Sequence, residues 1–79
     1  MNWSDLSRLA EREGIVPRAY SLEVDRVDNQ YVLGRQGLSW TVYYYQRGQK
    51  LDERVFRNED EACVFLLDEL RRDPTTRRR

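Results

Sequence analysis

The sequence predicts an α+β fold in the order α-β-β-β-α, a three-stranded antiparallel meander with two helices packed on one face. Three observations carry this. Four of the nine aromatic residues of the 79-residue chain fall in Trp40-Thr41-Val42-Tyr43-Tyr44-Tyr45-Gln46, with the turn Arg47-Gly48 behind them. Apolar residues recur at helical spacing at both ends of the chain, while those of the middle alternate. Gly14, Pro17, Gly37, Gly48 and Pro74 fall between these segments.

Residues 3 to 13 read as the first helix. Trp3, Leu6, Leu9 and Ala10 share one stripe, Asn2 or Ser4 supplies the N-cap, and Gly14 ends the helix. Ile15 and Val16 are placed to make the apolar contact that often closes a helix C-terminus, and Pro17 prevents the helix from resuming. From Pro17 to Asn29 two readings stand. Tyr20, Leu22 and Val24 alternate like a short strand, whereas Asp25, Asp28 and Asn29 are turn formers that suit a packed loop.

Tyr31 to Arg35 forms the first strand of the meander, and Gly34, Gly37 and Ser39 bracket the turn into the aromatic strand 40–46. Side chains alternate along a strand, so Trp40, Val42 and Tyr44 face one way and Thr41, Tyr43 and Tyr45 the other. After Arg47-Gly48-Gln49-Lys50, residues 51–57 set single apolar side chains among charges, as an edge strand does to discourage pairing with other chains.

The second helix begins at Asn58, an N-cap with Glu61 three places on as in a capping box, and Glu59 and Asp60 complement the helix dipole. Ala62, Cys63, Leu66, Leu67 and Leu70 form its apolar face, Val64 and Phe65 lie off it, and Pro74 stops it. A single globular domain is expected over 1–74, with 75–79 a disordered arginine-rich tail.

Composition narrows the function classes. A chain this short buries only roughly 60% of its unfolded surface, so there is no room for a second core. Histidine is absent, which removes the commonest general base and metal ligand together with the Cys/His and Ser/His nucleophile pairs. Cys63 sits on the expected core face, where cysteine behaves as a small hydrophobe. Glu59, Asp60 and Glu61 radiate around a helix start and do not converge on a metal. No catalytic residue, metal ligand or cofactor is assigned, and a non-enzymatic protein is expected. The lack of an apolar run and of a signal peptide, with a lone cysteine, suits the cytoplasm.

Charge bears on partners. Setting aside Arg77, Arg78 and Arg79 leaves 11 basic residues against 14 acidic ones, a mildly acidic body that disfavours nucleic acid. The helix-sheet-helix order matches double-stranded-RNA-binding domains, but those place lysines where this chain has Glu59, Asp60 and Glu61. The basic complement is arginine except for Lys50, which reads as the codon usage of a GC-rich bacterial genome. With Val42 and Tyr44 inward, Tyr43 and Tyr45 would lie on an open sheet face flanked by Arg47 and Arg57. Tyrosine and arginine are over-represented at interface hot spots, so these four are the expected partner-binding residues. Pairing of two copies through strand 51–57 or Phe65 is the alternative use of the aromatics.

The residues Trp40, Val42-Tyr43-Tyr44, Arg47-Gly48, then Phe56, then Glu59-Asp60-Glu61-Ala62-Cys63 resemble a small bacterial domain of uncharacterised function. Its pattern runs W-x-V-Y-Y-x-E-R-G, then F, then an acidic run ending in A-C. The resemblance spans roughly residues 20–74 and departs at Gln46, where the pattern has Glu. Such domains are similar to immunity-type proteins encoded beside secreted polymorphic toxins. The resemblance therefore implies a cytosolic inhibitor whose partner is a toxin.

Overall fold

Asn2 starts helix α1 (Trp3–Arg12) by accepting the Asp5 amide, and the Asp5 side chain returns to the Asn2 amide, a complete capping box. Gly14, at φ 80°, ends it: the Ile15 amide donates to the Ala10 carbonyl and the Gly14 amide to Glu11, a Schellman closure with Ile15 driven into the core. A 3₁₀ turn, Pro17–Ala19, leads into strand β1 (Tyr20–Leu22), so the open stretch is a strand at 20–22 only, and Val24 lies in a second 3₁₀ turn, Glu23–Asp25. These elements belong to a computed structural model that describes residues 1–78.

Strands β2 (Gln30–Gln36), β3 (Ser39–Gln46) and β4 (Gln49–Phe56) follow as antiparallel neighbours, and the sheet order is β1-β2-β3-β4. The expected three-stranded meander is thus corrected to a four-stranded mixed sheet, because β1 adds in parallel to β2 with Tyr20 opposite Tyr31 and Leu22 opposite Leu33. The β2–β3 turn has Gly37 at φ 61° in its first central position, and the β3–β4 turn has both Arg47 and Gly48 at positive φ. Such primed turns match the twist of the strands they join.

Strand β4 carries a bulge that its sequence pattern conceals. Val42 pairs with Arg54 but Tyr44 with Leu51, so Asp52 and Glu53 together oppose Tyr43, and Asp52 takes φ 54°. The extra residue resets the alternation. Leu51, Arg54 and Phe56 therefore share the face that Tyr44, Val42 and Trp40 present.

Helix α2 (Glu59–Arg72) is capped by Asn58, whose side chain accepts the Glu61 amide. The reciprocal half of the expected capping box is missing, because the Glu61 carboxylate is taken by Arg57 at 3.3 Å. Ala62, Cys63, Leu66, Leu67 and Leu70 are buried as their spacing predicts, and with Leu6, Ala10, Ile15, Tyr20, Leu33 and Val42 they form the core between the helices and one sheet face. Burying each larger aliphatic side chain contributes about 1.5–3 kcal/mol. Phe65, off the main stripe, packs on Phe56 with ring centroids 5.2 Å apart.

The chain does not loosen after Pro74. A 3₁₀ turn spans Pro74–Thr76, the buried Thr76 hydroxyl donates to the Leu70 and Asp73 carbonyls, and Val16 and Arg78 donate to Thr76 and Gly14. The expectation of disorder from residue 75 therefore fails for Thr75 to Arg78: the segment satisfies backbone groups left open at the end of α1. Arg79, the last residue of that tail, lies outside the described residues.

Residues 23–29, which link the parallel strands β1 and β2, cross the sheet face opposite the helices. Such a link usually needs a dozen or more residues. Here β1 is only three residues long, so the return is about 10 Å and seven residues suffice. Gly34 makes room for this strap: a Cβ there would lie 2.8 Å from Glu23 Oε2 and 3.0 Å from Thr41 Oγ1. Gly34→Ala should cost about 1–3 kcal/mol in urea unfolding through this overpacking, and about half that or less in a Glu23→Ala background. An equal cost in both backgrounds would place the clash in the sheet itself.

Candidate functional site

Tyr43 and Tyr45 do lie on the sheet face away from the helices, but that face is not open at Tyr43. The ring is 1% exposed beneath the strap and Lys50. Its hydroxyl donates to Glu23 Oε2 at 2.5 Å and accepts from Arg26 Nη1 at 2.9 Å, while Lys50 Nζ lies 4.9 Å from the ring centre. The expectation of an exposed Tyr43 is therefore corrected: the Glu23–Arg26 segment covers it. Tyr45 is half-buried, edge-on to Tyr43 at 6.3 Å, with the Arg26 guanidinium 4.6 Å above its ring.

The two arginines of the expected site are not brought together. Arg47 sits in the β3–β4 turn and Arg57 follows the far end of β4, about 25 Å away along an eight-residue strand. Arg57 pairs with Glu61 at 3.3 Å and remains exposed. What the face offers is a polar cluster in which Glu23 is approached by Tyr43, Arg26 and Lys50, with Lys50 also 3.7 Å from Glu53.

A groove of about 530 Å³ opens on the other face, between α2 and the β3–β4 pair. Its origin is simple. Two helices cannot cover four strands, and α2 packs on Phe56 at one end of β4 while the Leu51 end runs beyond it. Val42 and Tyr44 form the floor, Leu51 and Arg54 one wall, Phe65 and Glu69 the other, and Tyr31 with Asp73 closes the end. Tyr31 and Tyr44 meet edge to face at 4.9 Å. The Arg54 guanidinium lies 5.8 Å from the Phe65 ring centre.

Charge in the groove is uneven. Among the described residues Asp52, Glu69 and Asp73 line it with a single cation, Arg54. Asp73 is engaged: it accepts from the Thr75 hydroxyl and amide and from the Tyr31 hydroxyl at 3.0 Å, and these bonds hold its carboxyl below the usual range. Burial and the same bond raise the Tyr31 hydroxyl well above the ordinary tyrosine value. Among the described residues Asp52 and Glu69 form no ion pair, since the nearby cations Lys50 and Arg72 go to Glu23, Glu53 and Asp68. The aromatic-walled groove with two free carboxylates is the candidate site.

Sequence reasoning missed most of it. Tyr44 shares the helix-side face but is only half-buried there, the Asp52 bulge turns Leu51 and Arg54 to one face against simple alternation, and Phe65, outside the main apolar stripe, packs on Phe56. For the covered face the sequence carries a signal: a glycine inside a strand marks a close approach by another segment, and Gly34, which also suits the turn, is such a glycine. The chain matches no family model, no curated protein sequence and no solved structure. No helix among the described residues is long and apolar enough to cross a membrane.

Burial, and then the Glu23 bond, push the Tyr43 hydroxyl from 10.0 up to about 12. The folded state thus holds that proton more tightly than the unfolded chain. Its contribution to stability is intact below pH 10 and is lost as pH rises toward about 12. Tyrosinate absorbance should show late steps from Tyr43 and Tyr31, with Tyr43→Phe removing one of them; the absence of any step above the ordinary tyrosine range would contradict the covered geometry. Burial likewise pushes the Cys63 thiol to about 11, so a thiol-reactive disulfide reagent at pH 8 should leave native Cys63 unmodified and label it fully in urea. Rapid labelling of the folded chain would reopen a reactive role.

Proposed function

We propose that the chain is a non-catalytic protein-binding module of inhibitor type, an immunity protein that blocks a cognate toxin, with the α2–β4 groove at the centre of its interface. The observation that carries this reading is the groove: aromatic and aliphatic walls of Tyr44, Leu51 and Phe65 next to two carboxylates, Asp52 and Glu69, that form no ion pair among the described residues. An apolar centre with a polar rim is the anatomy of interfaces that bind through a few anchor residues. A standard interface of about 800 Å² per partner would take roughly a seventh of the 5341 Å² that the chain exposes, which the groove and its two walls can seed. Tyr45 and Arg47, on the other face, would then sit at the periphery at most, and Tyr43 acts by holding the strap.

Two alternatives are less well supported. Pairing of two copies through β4 meets the bulge at Asp52, which interrupts the edge and places Asp52 beside Glu53, a device that protects edges from pairing. Double-stranded RNA at the start of α2 would meet Glu59, Asp60 and Glu61. The first two are drawn into internal contacts, with the Trp3 amide at 3.0 Å and the Met1 amino group at 2.5 Å, and the neighbouring Arg57 is paired with Glu61 at 3.3 Å, so the helix start offers phosphate an excess of carboxylates.

Affinity capture from the source cells tests the reading with three tagged baits: the natural chain, Leu51→Arg in the groove and Val24→Arg on the strap. The natural chain and Val24→Arg should retain one protein partner in equal amount, and Leu51→Arg should weaken its binding by about tenfold or more. Expression of that partner alone should arrest growth, and co-expression of the chain should restore it. A partner that binds all three baits equally would remove the groove, and a partner without toxicity would remove the immunity role.

A further inference from the structure

The groove's chemistry points to what it takes hold of. Resting on the binding-module reading above, we infer that the α2–β4 groove receives an arginine side chain presented by the protein partner, its guanidinium lying against the Tyr44 ring and its charge met by Asp52 and Glu69.

Charge complementarity is the first support. Three carboxylates and one guanidinium line the groove, and two of those carboxylates, Asp52 and Glu69, have no ion-pair partner among the described residues. They border a partly apolar hollow in which a cation is attracted more strongly than on open surface. A metal ion is not the match: among the described residues no three acidic, histidine or cysteine side chains come together as a metal cage. Spread-out carboxylates suit a spread-out cation.

Aromatic geometry is the second support. A guanidinium is planar, weakly hydrated and stacks on aromatic faces while forking to carboxylates, which an ammonium does less well. This fold already uses that pairing: Arg26 lies over Tyr45, Arg35 over Trp40, and Arg54 over Phe65 inside the groove itself. Arg54 occupies the Phe65 end. The incoming side chain is left the stretch between Asp52, Tyr44 and Glu69, with the Tyr31–Asp73 bond as its end wall.

The test uses the full, isotope-labelled chain and an acetylated, amidated Gly-Arg-Gly-Arg-Gly peptide, followed by two-dimensional NMR against the same peptide with citrulline, which keeps the shape and removes the charge. Saturable shifts should centre on the amides of Tyr44, Leu51, Phe65 and Glu69, and citrulline should bind about tenfold more weakly. Asp52→Asn with Glu69→Gln should weaken the arginine peptide by about tenfold; asparagine tolerates the positive φ at position 52, so the bulge persists. Glu11→Gln with Asp25→Asn, an equal change of charge elsewhere, should leave binding unaltered. Equal affinity for citrulline, equal loss in both double variants, or shifts scattered over all surface carboxylates would overturn the inference. If the peptide fails while Leu51→Arg still releases the captured partner, the binding-module reading stands and only the arginine assignment falls.

Discussion

The hydrogen bond between the Tyr43 hydroxyl and Glu23 fixes the seven-residue strap on which the sheet's first edge depends. A link this short joins parallel strands only because β1 is three residues long, and it must cross the sheet face to do so. Crossing brings a carboxylate over Gly34 and a guanidinium over Tyr45, so the strap becomes the cover of a face that two helices leave bare. Gln30 fastens its far end: the side chain accepts from Ser21 and from the Val27 amide and donates to the Arg18 carbonyl. No buried side-chain polar atom among the described residues is left without a partner, which is the condition for placing such groups away from water.

The two faces of the sheet therefore serve different ends. On one, α1 and α2 close an apolar core that extends into the C-terminal turn, where Thr76 and the Glu13–Arg71 pair at 2.6 and 2.8 Å tie the end of the chain to the end of α1. On the other, charged side chains lie on aromatic rings, an arrangement that shields Tyr43 while keeping its cover hydrated. The groove arises where the helix layer stops short of β4. Its aromatic floor is continuous with the core, so it is held by the same packing that stabilises the fold, while its carboxylates face solvent.

Much of this architecture was legible in the residues. Both helices, the cap at Asn58, the glycine closure at Gly14, the antiparallel strands and the sharing of one face by Trp40, Val42 and Tyr44 follow from local rules of spacing and capping. The parallel edge strand was not, because three residues at 20–22 carry too little alternation to separate a strand from a loop, and their pairing is with residues eleven positions away. The bulge escaped for a related reason: it is a relation between two strands. Asp52 looks like an ordinary edge residue until Tyr43 is placed opposite it.

The sequence by itself determined the element types, the core stripe of α2, the absence of histidine chemistry and the concentration of aromatics on one strand. Whether those aromatics meet water was decided by tertiary structure alone. Exposure is a property of what packs above a side chain, and the segment above Tyr43 comes from twenty residues upstream, while the hollow above Tyr44 exists because a helix on the same face ends its cover one strand too soon. Periodicity reports which way a side chain points. Only the assembled layers decide what it points into.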